Sequence, residues 1–451
     1  MTTIARIALG GLLVITMTGC AEQQSNMPAH NNRPIMPKVP DFEKKPSLAE
    51  PGKSVAEEPA GVLNMRQALT LALTQSPHHQ AFSWEMRASE ARRLQAGLAP
   101  NPELQMKAGE IGGSGPQRRF EGAEMSIGLS QLIEMGDKRR KRAAVADVRT
   151  DLIRWDYEAA RLDVLSRVSA AFIEVLAAQK KLKLADELLG ISNRMAEAVS
   201  RRFDAGKDSA VAASKARIAH NQIQIAHKQA KQNLHLAKVR LVAFWGGTQP
   251  VFSTATGDID VPVDIPEVGK LLAVVDGNPD LARWIAEIDL RQRMVAYERA
   301  RGVQDITAGV GLQYFEESDN NTVMFGLSIP IGVSDRNQGG RQAALHELSG
   351  AAQRQKAAQI RVRQLLAQAY QSLANAHVEA VTLRGEMLPS ARSVFEASQE
   401  AYAEGKLDYL HLLDAQRTFF EVQSQYIDAL AAFQQARLDV ERLIGQQLET
   451  V

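Results

Sequence analysis

The segment TVMFGLSIPIGV, residues 322–333, alternates strictly between two kinds of side chain. The large apolar set comprises Val323, Phe325, Leu327, Ile329, Ile331 and Val333. The second set consists mostly of small residues and comprises Met324, Gly326, Ser328, Pro330 and Gly332. Because successive side chains of a β-strand point to opposite faces, this pattern predicts a strand that lies between two different environments.

Three more segments alternate in a similar way, which gives four predicted strands near residues 103–111, 123–133, 305–316 and 322–333. Strands of about 9–11 residues have the length of tilted transmembrane β-strands. Since backbone in lipid must be fully hydrogen-bonded, only closed barrels are viable there, and known barrels begin near eight strands. Several chains must then pool their strands, and three chains would supply twelve. A soluble four-stranded sheet packed on helices is the competing interpretation.

Most of the remaining chain is predicted to form very long helices. Residues 137–202 contain no proline and one glycine, and residues 338–404 form a matching segment that is interrupted mainly by Gly350, Gly385 and Pro389. At a rise of 1.5 Å per residue, each is on the order of 100 Å long. Apolar residues recur every seven positions, as in Val168, Val175, Leu182 and Leu189, and in Leu412, Phe419, Tyr426, Phe433 and Val440. Such spacing predicts coiled-coil packing, although an ordinary helical bundle would share it.

The chain repeats itself at an offset of about 200 residues. The matching pairs, in order, are 125–130 with 323–328, 137–139 with 335–337, and 203–207 with 402–406. This order predicts a duplicated domain, in which each half has an opening helix, two strands, a long helix, a glycine turn and another long helix. The opening helices are predicted near residues 64–98 and 279–302. The predicted boundaries are a first repeat over 62–246, an equatorial connection over 247–278, and a second repeat over 279–446.

The N-terminal residues resemble a bacterial lipoprotein leader. An apolar run over residues 7–17 is too short to span a bilayer as a mature helix, which needs roughly 20 residues, and it suits a secretory signal. The run ends in Met-Thr-Gly-Cys, so we expect residues 1–19 to be a signal peptide and Cys20 to be acylated. A secreted protein with a chance cysteine is the alternative. Residues 20–61 are proline-rich and are predicted to form a linker.

Composition excludes several other classes of protein. The 451 residues carry a net charge of +1, which gives no electrostatic case for binding nucleic acid. A single cysteine excludes an internal disulfide framework. No catalytic set stands out at a telling spacing, so we predict neither an enzyme nor a cofactor.

Three groups of residues carry side chains of the kinds that bind metal ions. His220, His227 and His235 are separated by about 10 Å or more along one helix, too far to share one ion. The other two groups are the adjacent His78 and His79, and the linker residues Met27, His30 and Met36. No metal site is predicted.

Over residues 62–446, the chain resembles the TolC-type outer-membrane factor family. The resemblance is carried by the paired strand hairpins and by the turns Phe203-x-x-Gly206 and Tyr402-x-x-Gly405, followed by Leu412-Leu413-Asp414-Ala415. Within that family, LAPNPEL over 98–104 and QLIEMGDKR over 131–139 are similar to the cobalt–zinc–cadmium branch of RND efflux systems.

The resemblance implies a mainly α fold with a transmembrane β part, assembled as a homotrimer with a 12-stranded β-barrel and a 12-helix α-barrel. Gly206 and Gly405 would mark the periplasmic tip where an adaptor protein docks, and Asp414, His411 and Tyr402 would belong to the closed aperture. His411 replaces a family aspartate, which makes pH-sensitive closure one possible outcome.

The predicted function is the outer-membrane exit duct of a tripartite pump, working with a periplasmic adaptor and an inner-membrane RND pump and exporting divalent metal cations. Two alternatives stay open. The same duct could carry drugs, organic solutes or secreted polypeptides, or the chain could be a lipid-anchored periplasmic scaffold without a pore.

Overall fold

The computed structural model describes residues 58–112, 115, 119–260 and 264–448. Cys20, the signal peptide, most of the linker and the Met27, His30 and Met36 group lie outside this part of the chain. The elements, in chain order, are β1 (Val62–Asn64), α1 (Met65–Gln75), α2 (Pro77–Ala96), β2 (Glu103–Gly109), β3 (Glu124–Ile133), α3 (Lys138–Asp204), α4 (Ala210–Val242), β4 (Thr254–Thr256), α5 (Val268–Val274), α6 (Pro279–Arg301), β5 (Ile306–Phe315), β6 (Asn320–Ser328), α7 (Gln338–Thr382), α8 (Leu388–Ala403) and α9 (Tyr409–Ile444).

The four predicted strands form one antiparallel sheet in the order β2-β3-β5-β6. The register places one set of large apolar side chains on a single face, namely Leu104, Met106, Met125, Ile127, Leu129, Val310, Leu312, Val323, Phe325 and Leu327. All of them are exposed, Phe325 to 84%. The opposite face carries mostly Gly, Ser, Thr and Gln. The predicted alternation is therefore confirmed, and its apolar side is left uncovered by the helices.

The last strand is shorter than the sequence pattern predicts. It begins at Asn320 and ends at Ser328, whereas the alternation continues to Val333. Pro330 explains the early end, because proline has no amide to donate to a neighbouring strand. The other three strands begin and end within two residues of the predicted bounds.

The long helices are confirmed, and the second is interrupted at Gly385 and Pro389, two of the positions that the sequence indicates. Helix α3 has 67 residues, and at 1.5 Å per residue it is about 100 Å long. The segment predicted over 338–404 is divided by a π-helical turn, Leu383–Met387, between α7 and α8. Pro389 lies two residues after this turn and has no amide to donate to the carbonyl four residues earlier, and the wider turn accommodates the missing bond. Within the described residues, no helix has the length and hydropathy needed to cross a membrane.

Two local predictions were wrong. The helix expected over 64–98 is broken at Ser76, because Pro77 begins α2 and the Ser76 side chain caps it. After the strand hairpins, the two repeats also align at a different offset from the predicted one. Asp137 and Asn337 both cap a long helix with positive φ, 60° and 56°, so Asn337, and not Asp335, is the structural equivalent of Asp137.

A hydrophobic core cluster packs beside the middle of α3 and holds together segments from near the middle of the chain. Phe172 and Leu241 are fully buried there against Trp245 and Phe252. The short strands β1 and β4 pair in parallel next to this cluster. The Glu58 carboxylate accepts hydrogen bonds from the Trp245 indole at 3.1 Å and from the amides of Val251 and Phe252 at 2.6 and 2.9 Å. The end of the predicted linker is therefore held against residues of the predicted equatorial connection.

A buried histidine joins α2 to α3. His79 is 7% exposed, its Nε2 lies 3.0 Å from the Tyr157 hydroxyl, and its Nδ1 bonds no described atom. Burial, with a smaller contribution from Arg161 that outweighs Glu158, lowers the pKa of His79 below its usual 6.5. The unfolded chain consequently binds the proton more tightly, and stability falls as the pH drops below about 6.5.

We therefore expect acidification from pH 7.5 to 5.0 to lower the thermal unfolding midpoint more in the wild type than in His79→Gln, by about 2 °C. Circular dichroism of the detergent-solubilised chain measures this difference. His78→Gln is the matched control, since His78 is the exposed neighbour on the same helix. Equal acid sensitivity of wild type and His79→Gln would contradict the assignment.

Candidate functional site

Two equivalent glycine turns form one end of the helical region. Gly206 follows α3 with φ +70°, and Gly405 follows α8 with φ +77°. In each turn the next amide, from Lys207 or Lys406, donates back across the turn at 2.8 Å to Arg202 or Ala401. This is the Schellman pattern, which needs a left-handed residue and so favours glycine. A side chain would meet no neighbour at either glycine, so backbone conformation alone accounts for the choice.

The following helices also begin in the same way. Ser209 caps α4 by accepting from the Ala212 amide at 3.1 Å, and Asp408 caps α9 by accepting from the His411 amide at 3.1 Å. Side-chain acceptors at this position satisfy amides that have no partner inside the helix. The two turns are thus one motif used twice, as the duplication predicts.

A polar network joins the two turns. The Tyr402 hydroxyl donates to Asp208 Oδ2 at 3.0 Å, and the Arg202 guanidinium donates to the same oxygen at 3.0 Å. Arg202 also lies 5.0 Å from the centre of the Tyr402 ring. Burial first, and then the bond to Asp208, raise the pKa of Tyr402 to about 12, so its hydroxyl keeps its proton and remains a donor.

Aromatic and aliphatic side chains support this network from behind. The Tyr402 ring packs edge-on against Tyr409 at 6.3 Å between centroids, and the Phe395 ring stacks on Phe419 at 5.5 Å. Leu412 is fully buried in the same cluster, which draws on α3, α4, α7, α8 and α9. Because cores of this kind are close-packed, the position of Tyr402 is fixed by its surroundings.

The other two predicted aperture residues lie one turn apart on the exposed side of α9. His411 contacts Asp408, with its Nδ1 at 2.6 Å from Oδ1. Hydrogen bonds from the His411 amide and ring hold the pKa of Asp408 below its usual range. Asp414 is exposed and bonds to no described residue. One chain therefore brings Tyr402 into a network but leaves Asp414 free to face solvent.

The remaining histidines on α4 have separate polar partners. His220 lies 3.1 Å from the Ser192 hydroxyl and 2.9 Å from the Gln224 amide, and His227 lies 2.6 Å from Asp186. His235 is exposed. Over the described ranges, no three His, Cys, Asp or Glu residues come together as metal ligands.

Arg202 and Asp208 were not among the residues predicted for the site. Their signal in the sequence is weak, because a charged pair six residues apart meets only when a tight turn intervenes. Gly206 is the residue that indicates this turn, since a chain reversal there brings the end of α3 beside the start of α4.

The chain matches the family model described as outer membrane efflux protein over residues 68–247 and 273–446. It is 33% identical over 389 residues to the cobalt-zinc-cadmium resistance protein CzcC of Cupriavidus metallidurans, covering 86% of this chain and 91% of that protein. It is 24% identical over 298 residues to the nickel-cobalt-cadmium resistance protein NccC of Alcaligenes xylosoxydans xylosoxydans, covering 66% of each.

Solved structures share the fold at low sequence identity. The outer membrane protein VceC of Vibrio cholerae has a TM-score of 0.69 at 15% identity, covering 85% of this chain and 96% of that one. A CusC structure, described in terms of folding and transmembrane channel formation, has a TM-score of 0.71 at 15% identity, covering 85% and 92%. A membrane protein from Pseudomonas aeruginosa has a TM-score of 0.72 at 17% identity, covering 85% and 90%.

Proposed function

The chain belongs to the outer membrane efflux protein family, and from this premise we propose that it is the exit duct of a tripartite pump that exports divalent heavy-metal cations. The observation that carries the proposal is the pairing of two features in one chain. One is a four-stranded sheet with an uncovered apolar face, and the other is a set of long helices that end in two linked glycine turns.

The sheet suits a position in the outer membrane. Its apolar face would contact lipid, and its small and polar face would line the passage. Strands β2 and β6 are the two edges, and an open edge in lipid would leave backbone groups unpaired. Three copies arranged as a homotrimer would pair every edge and close a 12-stranded barrel.

The glycine turns suit the periplasmic end of the duct. Docking of a periplasmic adaptor at Gly206 and Gly405 would act on the ends of α3 and α8, next to the Tyr402–Asp208 bond. Breaking that bond would separate the two halves of each chain at the tip. Asp414 from three copies would then form an acidic ring that favours cations, with His411 beside it.

The heavy-metal cargo is supported by the names of two relatives, which concern resistance to cobalt, zinc, cadmium and nickel. The duct itself has no need of a high-affinity metal site, because cations must leave it again. Energy would come from an inner-membrane RND pump through the adaptor. Acylation of Cys20 would add a lipid anchor in the outer membrane.

The proposal is tested by single-channel recording of the purified protein in planar bilayers. We expect discrete conductance steps with a preference for cations, and we expect Asp414→Ala to lower the cation-to-anion permeability ratio severalfold. Asp204→Ala is the matched control, because it removes an exposed carboxylate from the neighbouring turn of the same tip.

Folded protein that gives no conductance, even with the tip loosened by Tyr402→Phe, would overturn the duct. Conductance steps with equal selectivity in wild type and Asp414→Ala would keep the duct but remove Asp414 from the aperture.

A further inference from the structure

A cavity of about 480 Å³ lies among α3, α4 and α9 within the single chain, and we call it the three-helix cavity. Its wall is mainly apolar, with Leu184 and Leu188 from α3, Ile223 from α4, and Leu413 and Phe420 from α9. Volumes of about 300–1,000 Å³ are typical of sites that bind small molecules. The size and the wall of the cavity therefore suit the apolar body of a small molecule.

Small side chains keep this space open. Ala185 of α3 and Ala219 and Ala230 of α4 line the cavity, and Ala219 belongs to the buried cluster behind the glycine turns. Protein interiors are normally close-packed. Alanine at these positions consequently leaves room that larger aliphatic side chains would fill.

The carboxamide of Gln416 is the buried polar group of the cavity. Gln416 is only 2% exposed, and its amide nitrogen has no hydrogen-bond partner in the described part of the chain. Buried polar atoms are normally hydrogen-bonded, and a buried donor without an acceptor is destabilising. A role in fixing the register of the helices would not account for this nitrogen, because that role needs a polar partner on a facing helix. An acceptor from outside the chain would complete the group.

The charges around the cavity favour an anionic acceptor. The lining contains two cations, Lys181 and Arg417, and one carboxylate, Glu421. Lys181 is already paired with Asp428 at 2.5 Å. Arg417 reaches the Gln222 amide oxygen at 3.5 Å and has no carboxylate within ion-pair distance over the described ranges. A guanidinium beside an unpaired amide suits a carboxylate, which accepts hydrogen bonds from both kinds of donor.

We propose that the three-helix cavity binds a small monocarboxylic acid with an apolar or aromatic body. The carboxylate accepts from the Gln416 amide and the Arg417 guanidinium, and the body occupies the space beside Ala185, Ala219 and Ala230. This ligand is distinct from the cargo of the duct, since the lining offers a cation and an amide in place of metal ligands.

A ligand in this cavity also acts on the candidate site. Helix α4 follows the Gly206 turn and α9 follows the Gly405 turn, and Gln416 lies about 10 Å from the start of α9. A ligand that contacts both helices binds best while the Tyr402–Asp208 bond is intact, so its binding shifts the population toward this arrangement. This consequence rests on the proposed function, whereas the binding itself does not.

Photolabelling of the full-length protein in lipid nanodiscs tests the site. The probe is a benzoic acid with a trifluoromethyl diazirine in the para position, and mass spectrometry of proteolytic peptides locates the label. We expect label within residues 219–230 and 413–424, at least about tenfold above the label from the corresponding neutral benzyl alcohol. An excess of 4-tert-butylbenzoate should remove it.

Three variants identify the groups that hold the acid. Gln416→Leu removes the amide and keeps a side chain of similar size, so labelling should fall about tenfold. Gln423→Leu is the matched control, because Gln423 also has a buried carboxamide atom without a partner on α9 but lines a different cavity. Its labelling should match the wild type. Ala219→Leu fills the cavity and leaves both donors in place, and it should abolish labelling in protein that circular dichroism shows to be folded.

The wild type alone can overturn the inference if the variants fold poorly. Equal labelling by the acid and the alcohol, or labelling that persists in excess 4-tert-butylbenzoate, would overturn the site and assign the Gln416 nitrogen to bound water.

Planar-bilayer recordings separate the site from its effect on the duct. The acid 4-tert-butylbenzoate should lower the open probability of the wild type and of Gln423→Leu, but not of Gln416→Leu. A conductance that does not respond to the acid in protein that is labelled would overturn control of the duct by this site. Protein that is labelled at the cavity but gives no conductance would overturn the proposed function and support the site.

Discussion

Leu312→Arg is expected to remove most of the assembled protein from the outer membrane. Leu312 lies in the central strand β5, opposite Ile127 on one side and Val323 on the other, on the uncovered apolar face. An arginine facing lipid near the bilayer midplane costs about 2–4 kcal/mol in a membrane barrel, and a homotrimer carries the substitution three times. We expect at least a tenfold fall in the folded, membrane-inserted fraction, measured by outer-membrane fractionation and immunoblotting.

Gln313→Arg is the matched control at the adjacent position. Its side chain is on the opposite face, where Gln313 donates to Glu124 at 2.8 Å, so an arginine there keeps a carboxylate partner. We expect near wild-type insertion. Equal tolerance of arginine at both positions would mean that neither face contacts lipid, and it would favour the periplasmic scaffold over the duct.

The sheet and the long helices could be predicted because their patterns are local. Alternation over ten residues gives the faces of β5, and heptads such as Leu412, Phe419 and Phe433 give the buried side of α9, where all three are buried. The predicted β6 was too long, because side-chain alternation continues beyond Ser328, although Pro330 cannot take part in the hydrogen-bonded backbone ladder. Hydrophobic pattern and hydrogen-bonding capacity are separate requirements, and the pattern reports only the first.

Features that depend on distant residues could not be predicted in this way. Strands β1 and β4 have three residues each, too few for any period to appear, and they come from the start of the first repeat and from the equatorial connection. The candidate site also has one feature that could be predicted and one that could not. The glycines of its turns were predicted from a repeated motif, whereas the bond between Tyr402 and Asp208 joins residues 194 positions apart. Only the folded arrangement of both halves brings them together.

Tyr402→Phe is expected to raise the open probability of the duct by at least about tenfold. The substitution removes the Tyr402 hydroxyl, which donates to Asp208, and keeps the ring packed on Tyr409 and under Arg202. A hydrogen bond to a charged group contributes about 1.5–3 kcal/mol, and 1.4 kcal/mol is a factor of ten in an equilibrium. Since this bond links the two turns of each chain at the tip, its loss favours their separation. Single-channel recordings in planar bilayers measure the open probability directly.

Tyr409→Phe is the control that isolates this effect. Tyr409 is buried in the same cluster, but its hydroxyl bonds to no atom in the described part of the chain, so the tip should stay as closed as in the wild type. A conductance of Tyr402→Phe that matches both wild type and Tyr409→Phe would contradict a gating role for the Tyr402–Asp208 bond.

Asp208→Asn separates charge from hydrogen bonding at the same place. Its amide oxygen still accepts from Tyr402 but pairs weakly with Arg202, so an intermediate open probability is expected if the two donors hold the turns together jointly.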